Sequence, residues 1–106
     1  TRLRTVTGVQ TCALPISFRA AGKRLWGVHA CENHRGCPGT GIIPWREISR
    51  ALRDIGFDGW VILETYNSSI GDFAYRRGMF HNVCPDGAAF VRQALGFLRG
   101  AFEAPV

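Results

Sequence analysis

The chain has 106 residues, which is enough to bury one modest hydrophobic core. Its formal net charge is +5, but the basic side chains are dispersed and do not alternate with aromatic ones, which argues against a nucleic-acid partner. The sequence has no run of about 18 apolar residues, so it predicts no membrane-spanning segment and no membrane partner.

Residues 1–17 differ in character from the rest of the sequence. Their apolar stretch is interrupted by polar residues and a proline, which argues against a signal peptide. Residues 6–17 instead resemble a translated sequencing-library adapter, so we interpret residues 1–17 as artefactual and residues 18–106 as the natural domain. Without Arg2 and Arg4 the net charge falls to +3, and the basic signal weakens.

The chain contains four cysteines, namely Cys12, Cys31, Cys37 and Cys84. Cys31 and Cys37 are separated by five residues rather than by the roughly two to four of a zinc knuckle, and no second paired Cys/His cluster follows. We therefore expect reduced thiols in a cytoplasmic protein. One alternative stays open, a small non-catalytic zinc or interaction module that uses Cys31, His34 and Cys37.

The natural sequence opens with the end of a helix and a strand. Residues 18–22 have the composition of a last helical turn, with Gly22 just after it, where a left-handed residue is usual. Residues 25–30 are largely apolar and predict a strand, with His29 at its carboxyl end. The following loop, residues 31–41, is rich in turn formers and polar side chains, which is typical of loops that carry binding groups.

An amphipathic helix and a second strand come next. Residues 45–55 predict a helix that has Pro44 at its first position and is closed by Gly56. Its apolar stripe consists of Trp45, Ile48, Leu52 and Ile55. Residues 60–63 are almost wholly apolar and predict a strand that ends in the carboxylate of Glu64.

Together these elements predict one parallel βαβ unit. His29 and Glu64 are 35 residues apart, and a crossover of this kind takes roughly 30 or more residues. Functional groups in parallel α/β folds stand at the carboxyl ends of the strands, so we expect both side chains at one site. On spacing alone, His29 also fits a hydrogen-bonded core histidine, and Glu64 also fits a structural carboxylate.

The C-terminal region predicts one clear element. The segment with Tyr75, Arg76 and Arg77 has no pattern that assigns it to a helix or a strand. After Pro85, Asp86 is predicted to cap a final helix. The apolar stripe of that helix consists of Phe90, Ala94, Phe97, Leu98, Ala101 and Phe102.

Five stretches of the sequence carry a family resemblance. They are His29-Ala30-Cys31-Glu32-Asn33-His34-Arg35, Pro38-Gly39-Thr40-Gly41, Pro44-Trp45-Arg46-Glu47-Ile48, Ala51-Leu52-Arg53-Asp54-Ile55-Gly56-Phe57-Asp58-Gly59 and the strand ending in Glu64. In this order they resemble the C-terminal part of the D-tagatose/D-psicose 3-epimerase family, which belongs to the xylose isomerase-like (β/α)8 TIM barrels. The resemblance implies an α/β fold made of about the last two βα units, since a closed barrel needs about 250 residues.

The resemblance also implies a chemistry. Members of the family are metal-dependent ketose isomerases or epimerases that transfer a proton through a metal-stabilised enediolate. The resemblance implies that His29 and Glu64 are metal ligands, that Glu64 is also a catalytic carboxylate, and that Arg35 binds the substrate. The metal implied is Mn²⁺, with Mg²⁺ or Co²⁺ as alternatives. The partner is then a small-molecule sugar, and the intact protein is expected to be a homo-oligomer.

The missing parts of such a site would lie before Phe18 in a longer protein. They are the other metal ligands and the second catalytic carboxylate, so we expect the chain alone to be inactive. A hydroxypyruvate isomerase-like or inosose dehydratase-like barrel enzyme is the alternative, since the motif Pro38-Gly39-Thr40-Gly41 also suits those.

Four further side chains in the loop have simpler expected roles. Glu32 and His34 are expected either beside the metal ligands without touching the metal or as solvated loop groups. Cys31 and Cys37 are expected to be small loop residues.

Overall fold

The computed structural model describes residues 7–66 and 71–103. Its elements are α1 (Thr7–Ala21), a 3-10 turn (Gly22–Arg24), β1 (Gly27–Ala30), α2 (Trp45–Asp54), β2 (Trp60–Leu63), α3 (Phe73–Arg76) and α4 (Gly87–Glu103). Within these described ranges, no helix is long and apolar enough to cross a membrane.

Strands β1 and β2 form a two-stranded parallel sheet, as the sequence predicts. Gly27 lies opposite Trp60, and Ala30 lies opposite Leu63. The N–H of Glu64 donates a hydrogen bond to the carbonyl oxygen of Ala30 (3.0 Å), which carries the pairing one residue further. Helix α2 connects the two strands, so the predicted βαβ unit is confirmed.

Two predicted boundaries shift by one or two residues. The first strand begins at Gly27 rather than at Leu25, because the Leu25 N–H closes the preceding turn on the carbonyl of Gly22 (3.1 Å). Pro44 precedes helix α2 instead of being its first residue, since its ψ of 71° is not helical. Its carbonyl still accepts the first helical hydrogen bond, from the Ile48 N–H (3.0 Å).

The main core lies between the helices and one face of the sheet. Its buried residues are Val28, Ala30, Trp45, Ile48, Leu52 and Leu98. Side chains alternate along a strand, so Val28 and Ala30 both face the helices, where the apolar stripe of α2 meets them. Burial of this kind is the main favourable term in folding.

Helix α4 closes the domain as predicted. The Asp86 carboxylate accepts hydrogen bonds from the N–H groups of Ala88 (2.9 Å) and Ala89 (3.2 Å), which confirms the predicted cap. A second cluster of buried residues consists of Cys37, Cys84, Phe90 and Ala94. Helix α4 therefore contributes to both clusters, through Leu98 in the first and Phe90 in the second.

Helix α1 includes most of the segment interpreted as artefactual. Its residues Leu14 and Phe18 pack against the main core. The predicted helix end is confirmed, because Gly22 has a left-handed backbone with φ of 55°. The interpretation of residues 1–17 stays a prediction, and residues 1–6 lie outside the described residues.

The second face of the sheet is exposed. Trp60 is 76% exposed and Ile62 is 43% exposed, and both stand on the face opposite the core together with His29. Trp26, just before β1, is 82% exposed. A row of large apolar side chains beside an open parallel strand favours association.

We predict that the chain self-associates through this face. The double variant Trp60→Thr/Ile62→Thr should lower the weight-average mass at a given concentration, because threonine suits a strand but removes apolar surface. Sedimentation velocity over a concentration series measures this.

The matched control is Ile42→Thr with Val91→Thr, two exposed apolar residues outside the sheet. This control should associate like the parent chain. A parent chain that stays a monodisperse monomer and melts cooperatively would contradict the prediction.

Candidate active site

His29 and Glu64 meet at the carboxyl ends of the two strands. The Nδ1 atom of His29 lies 3.1 Å from Oε2 of Glu64. Their side chains are 64% and 40% exposed, so both are accessible from the open face of the sheet. The structure therefore brings together the two side chains that the sequence predicts at one site, while their binding of a metal stays a prediction.

Arg35 lies in the loop after β1, beside this pair. Its Nη1 atom donates to the Sγ atom of Cys31 (3.8 Å), and its guanidinium carbon lies 5.8 Å from the ring centre of Tyr66. The hydrogen bond to Cys31 is the largest cause that raises the pKa of Arg35, and Glu64 adds to it. The guanidinium therefore remains fully charged and interacts electrostatically with the carboxylate of Glu64.

Cys31 belongs to the same group of side chains, although it was predicted to be only a small loop residue. Its thiol is half-buried, and burial raises its pKa above the ordinary value of 9.0 even though Arg35 acts in the opposite direction. Cys31 is therefore a neutral thiol at neutral pH. The signal for its position was available, because residues i and i+2 of an extended segment share a face, which places Cys31 on the side of His29.

Glu32 holds the loop together. Only 2% of the residue is exposed, and its two carboxylate oxygens accept four hydrogen bonds. The donors are the N–H groups of Asn33 (3.3 Å) and Ile43 (2.9 Å) on Oε1, and the Gly39 N–H and the Trp45 indole (2.9 Å each) on Oε2. Glu32 is thus a buried structural carboxylate, and the expectation of a solvated loop group is wrong.

The electrostatics of Glu32 follow from these bonds. Burial by itself would raise the pKa of Glu32, but the hydrogen bonds from the Trp45 indole and from three backbone N–H groups outweigh it. The pKa of Glu32 therefore lies below its ordinary value of 4.5. The carboxylate is ionised at neutral pH and is fully matched by donors.

Two glycines of the motif Pro38-Gly39-Thr40-Gly41 allow this packing. Gly39 has φ of 93°, a left-handed conformation that orients its N–H toward Glu32. A Cβ atom at Gly41 would lie 2.4 Å from Cγ of Glu32 and 2.1 Å from Oδ1 of Asn33. Larger residues at these positions would displace the loop from Glu32.

His34 stabilises the same loop from its exposed side. Its Nδ1 atom accepts a hydrogen bond from the Gly36 N–H (3.0 Å). The Nε2 atom lies 3.1 Å from Oγ1 of Thr40 and 3.3 Å from its carbonyl oxygen, so it carries the proton. The ring of His34 therefore closes the loop on itself.

The zinc alternative finds no support in this arrangement. Cys31 faces Arg35, His34 is bonded within its own loop, and Cys37 is buried in the second cluster. Throughout residues 7–66 and 71–103, no three His, Cys, Asp or Glu side chains are grouped so that they could hold a metal ion. Cys31, Cys37 and Cys84 are all free thiols.

The segment that the sequence left unassigned forms α3 and contacts the site through aromatic rings. The guanidinium of Arg77 lies 5.1 Å from the ring centre of Phe73. Phe73 in turn packs on Tyr66, with ring centres 5.8 Å apart, and Tyr66 contacts Arg35. A continuous series of ring and guanidinium contacts thus connects Arg35 to α3.

Comparison with known proteins assigns the chain to a family. Residues 11–100 match the model of the xylose isomerase-like TIM barrel family. The chain therefore belongs to this family, which agrees with the parallel βαβ unit and with its candidate site at the carboxyl ends of the strands.

The relatives within the family are ketose epimerases. The chain is 29% identical to a probable ketose 3-epimerase of Synechocystis sp. over 82% of this chain and 30% of that protein. It is 36% identical to a D-psicose 3-epimerase of Enterocloster bolteae over 66% of this chain and 23% of that protein.

Solved structures give the same assignment. The crystal structure of D-allulose 3-epimerase from Methylomonas sp. in complex with D-allulose has a TM-score of 0.75, with 31% identity over 83% of this chain and 31% of that one. An L-ribulose 3-epimerase structure has a TM-score of 0.79, with 26% identity over 91% of this chain and 33% of that one. The chain thus spans no more than about a third of these relatives.

We predict that acidification loosens the loop around Glu32. A depressed pKa means that the stabilisation is fully present above the unfolded-state value near 4.5 and is lost as the pH falls through the lower folded-state pKa. Hydrogen exchange followed by mass spectrometry should show that peptides covering residues 36–44 lose protection progressively as the pH falls below 4.5, after correction for intrinsic exchange rates.

The variant Glu32→Gln should loosen the same peptides already at neutral pH. Its amide nitrogen would face two N–H donors where a carboxylate oxygen now accepts. This mismatch should lower the stability of the loop by about 1–3 kcal/mol. Glu47→Gln, on the exposed face of α2, is the control and should leave protection unchanged. Equal protection in Glu32→Gln and the parent chain would show that the carboxylate does not hold the loop.

Proposed function

We propose that the chain is the C-terminal part of a metal-dependent ketose 3-epimerase and is inactive without the rest of that protein. The observation that carries the proposal is the 3.1 Å contact between His29 and Glu64 on the open face of the sheet. The epimerase names of the relatives support it over a hydroxypyruvate isomerase-like or inosose dehydratase-like enzyme.

The two side chains fit a divalent metal by their chemistry. An imidazole nitrogen and a carboxylate oxygen on one accessible face are donors that suit Mn²⁺, and Mg²⁺ or Co²⁺ are the alternatives. A bound metal would hold and polarise the oxygens of a sugar. His29 and Glu64 are only two ligands, so the remaining ligands are expected from outside the described residues.

Glu64 has the properties of a group that moves a proton. Its carboxylate stands at the end of β2 and is 40% exposed toward the open face, where a substrate has access to it. Inverting a carbon beside a ketone requires a base that removes the proton and an acid that returns one. Glu64 would serve on one face of the sugar, and a second carboxylate from outside this chain on the other.

Arg35 would bind the oxygens of the sugar. Its guanidinium is permanently charged and lies close enough to Glu64 for the two charges to interact. Since the same oxygens are present before and after the proton is moved, this contact would stabilise the ground state and the transition state alike.

The test uses the full-length enzyme, in which natural sequence precedes Phe18 in place of residues 1–17, with metal at saturation. Glu64→Gln should abolish turnover and solvent deuterium incorporation at the substrate carbon, because an amide keeps the shape but does not accept the proton. His29→Ala should mainly weaken metal binding, so excess Mn²⁺ should restore part of its activity.

Arg35→Ala is the comparison variant. It should chiefly raise KM, because it removes a contact that binds the substrate equally well in the ground state and in the transition state. Wild-type deuterium exchange in Glu64→Gln would reduce Glu64 to a structural carboxylate. A wild-type protein that epimerises no ketose at any metal concentration would overturn the proposed function.

A further inference from the structure

The backbone of Arg35 has an unusual conformation. Its φ is 70°, in the left-handed region that residues other than glycine seldom occupy. Its N–H donates to the carbonyl oxygen of Glu32 (3.0 Å), and its own carbonyl oxygen accepts a hydrogen bond from the hydroxyl of Thr65 (2.8 Å). Such a conformation persists only where the surrounding contacts fix it.

The side chain of Arg35 is held as well. The guanidinium donates to the Sγ atom of Cys31 and lies over the ring of Tyr66 at 5.8 Å, within the range of about 6 Å for a cation–π contact. A long exposed side chain otherwise samples many rotamers. These contacts restrict the guanidinium to a position where its charge interacts with that of Glu64.

We propose that Thr65 and Cys31 are positioning residues for Arg35. Thr65 directly follows Glu64, so its hydroxyl ties the loop that carries Arg35 to the strand end that carries the carboxylate. Cys31 directs the guanidinium from the other side. The consequence for catalysis rests on the proposed function, whereas the hydrogen bond between Thr65 and Arg35 does not.

The location of the Thr65 bond explains why it matters. It joins residues that are 30 positions apart and belong to two different segments. Together with the contact between the guanidinium and the Tyr66 ring, it fastens the loop near Arg35 to the segment after β2. Small displacements of a substrate-binding group have large effects on binding, so this hydroxyl helps to set the position of Arg35 relative to Glu64.

The kinetic experiment uses the full-length enzyme with metal at saturation. Thr65→Val removes the hydroxyl but keeps the branched shape, and it should raise KM about fivefold, the loss expected for one hydrogen bond, with little change in kcat. Thr65→Ser keeps the hydroxyl and should restore a wild-type KM.

A double variant separates positioning from general structure. In the Arg35→Ala background, Thr65→Val should raise KM no further, because the side chain it positions is absent. A second fivefold rise in that background would show that Thr65 acts independently of Arg35 and would overturn the proposal.

Cys31 is tested in the same way. Cys31→Ala should raise KM by about twofold, less than Thr65→Val, because sulfur is a weak acceptor, and Cys31→Ser should behave like the parent enzyme. An unchanged KM in Cys31→Ala would remove Cys31 from the proposal.

A second measurement needs neither sugar nor metal and uses the 106-residue chain. Trypsin cleaves after Arg35, and the carbonyl of the bond it cuts is the one that Thr65 holds. Thr65→Val should accelerate this cleavage relative to cleavage after Arg24, an exposed arginine in the turn before β1, whereas Thr65→Ser should not. Mass spectrometry of early digestion products gives the ratio.

The two measurements distinguish the possible failures. Suppose that Thr65→Val is cleaved selectively after Arg35 but the wild-type enzyme is inactive. The hydrogen bond between Thr65 and Arg35 would then be supported, and the proposed function would be refuted. Equal acceleration after Arg24 and Arg35 would mean that Thr65 only stabilises the fold, and the proposal would fail.

Discussion

The rest of the site depends on the buried carboxylate of Glu32. A carboxylate taken out of water is costly unless donors match it, and here four donors do so. One donor is the indole of Trp45 at the start of α2, so the bond joins the loop to the helix that packs on the sheet. The backbone carbonyl of Glu32 also begins the turn that contains Arg35. Glu32 therefore joins the loop to α2 through its carboxylate and fixes the turn that contains Arg35 through its carbonyl oxygen.

The periodic elements could be predicted from the sequence because their patterns are set by burial on one face. Strand β2 was predicted with its observed boundaries, and α2 differs from its prediction by one residue at each end. The pairing of His29 with Glu64 followed from a general property of parallel strands, whose carboxyl ends lie at one edge. Helix α3 was missed, because a helix of four residues has no period that a sequence pattern reveals.

The loop could not be predicted, because its interactions depend on backbone positions. The sequence contains Glu32 but gives no sign that the N–H groups of Gly39 and Ile43 converge on it. The contacts of Arg35 require a left-handed backbone at a residue that is not glycine, which no composition rule indicates. For the same reason the sequence assigns no role to Thr65, although its hydroxyl donates to the carbonyl oxygen of Arg35.

The long crossover also sets the entropic cost of bringing the two strand ends together. Glu32 and Trp45 are 13 residues apart, whereas His29 and Glu64 are 35 apart. Closing the longer loop costs about 0.9 kcal/mol more in chain entropy, since that cost grows with the logarithm of loop length. On loop length alone, the contact between Glu32 and Trp45 is therefore easier to close in an unfolded chain than the contact between His29 and Glu64. The scaffold of the loop is thus less costly in chain entropy than the pairing that it supports.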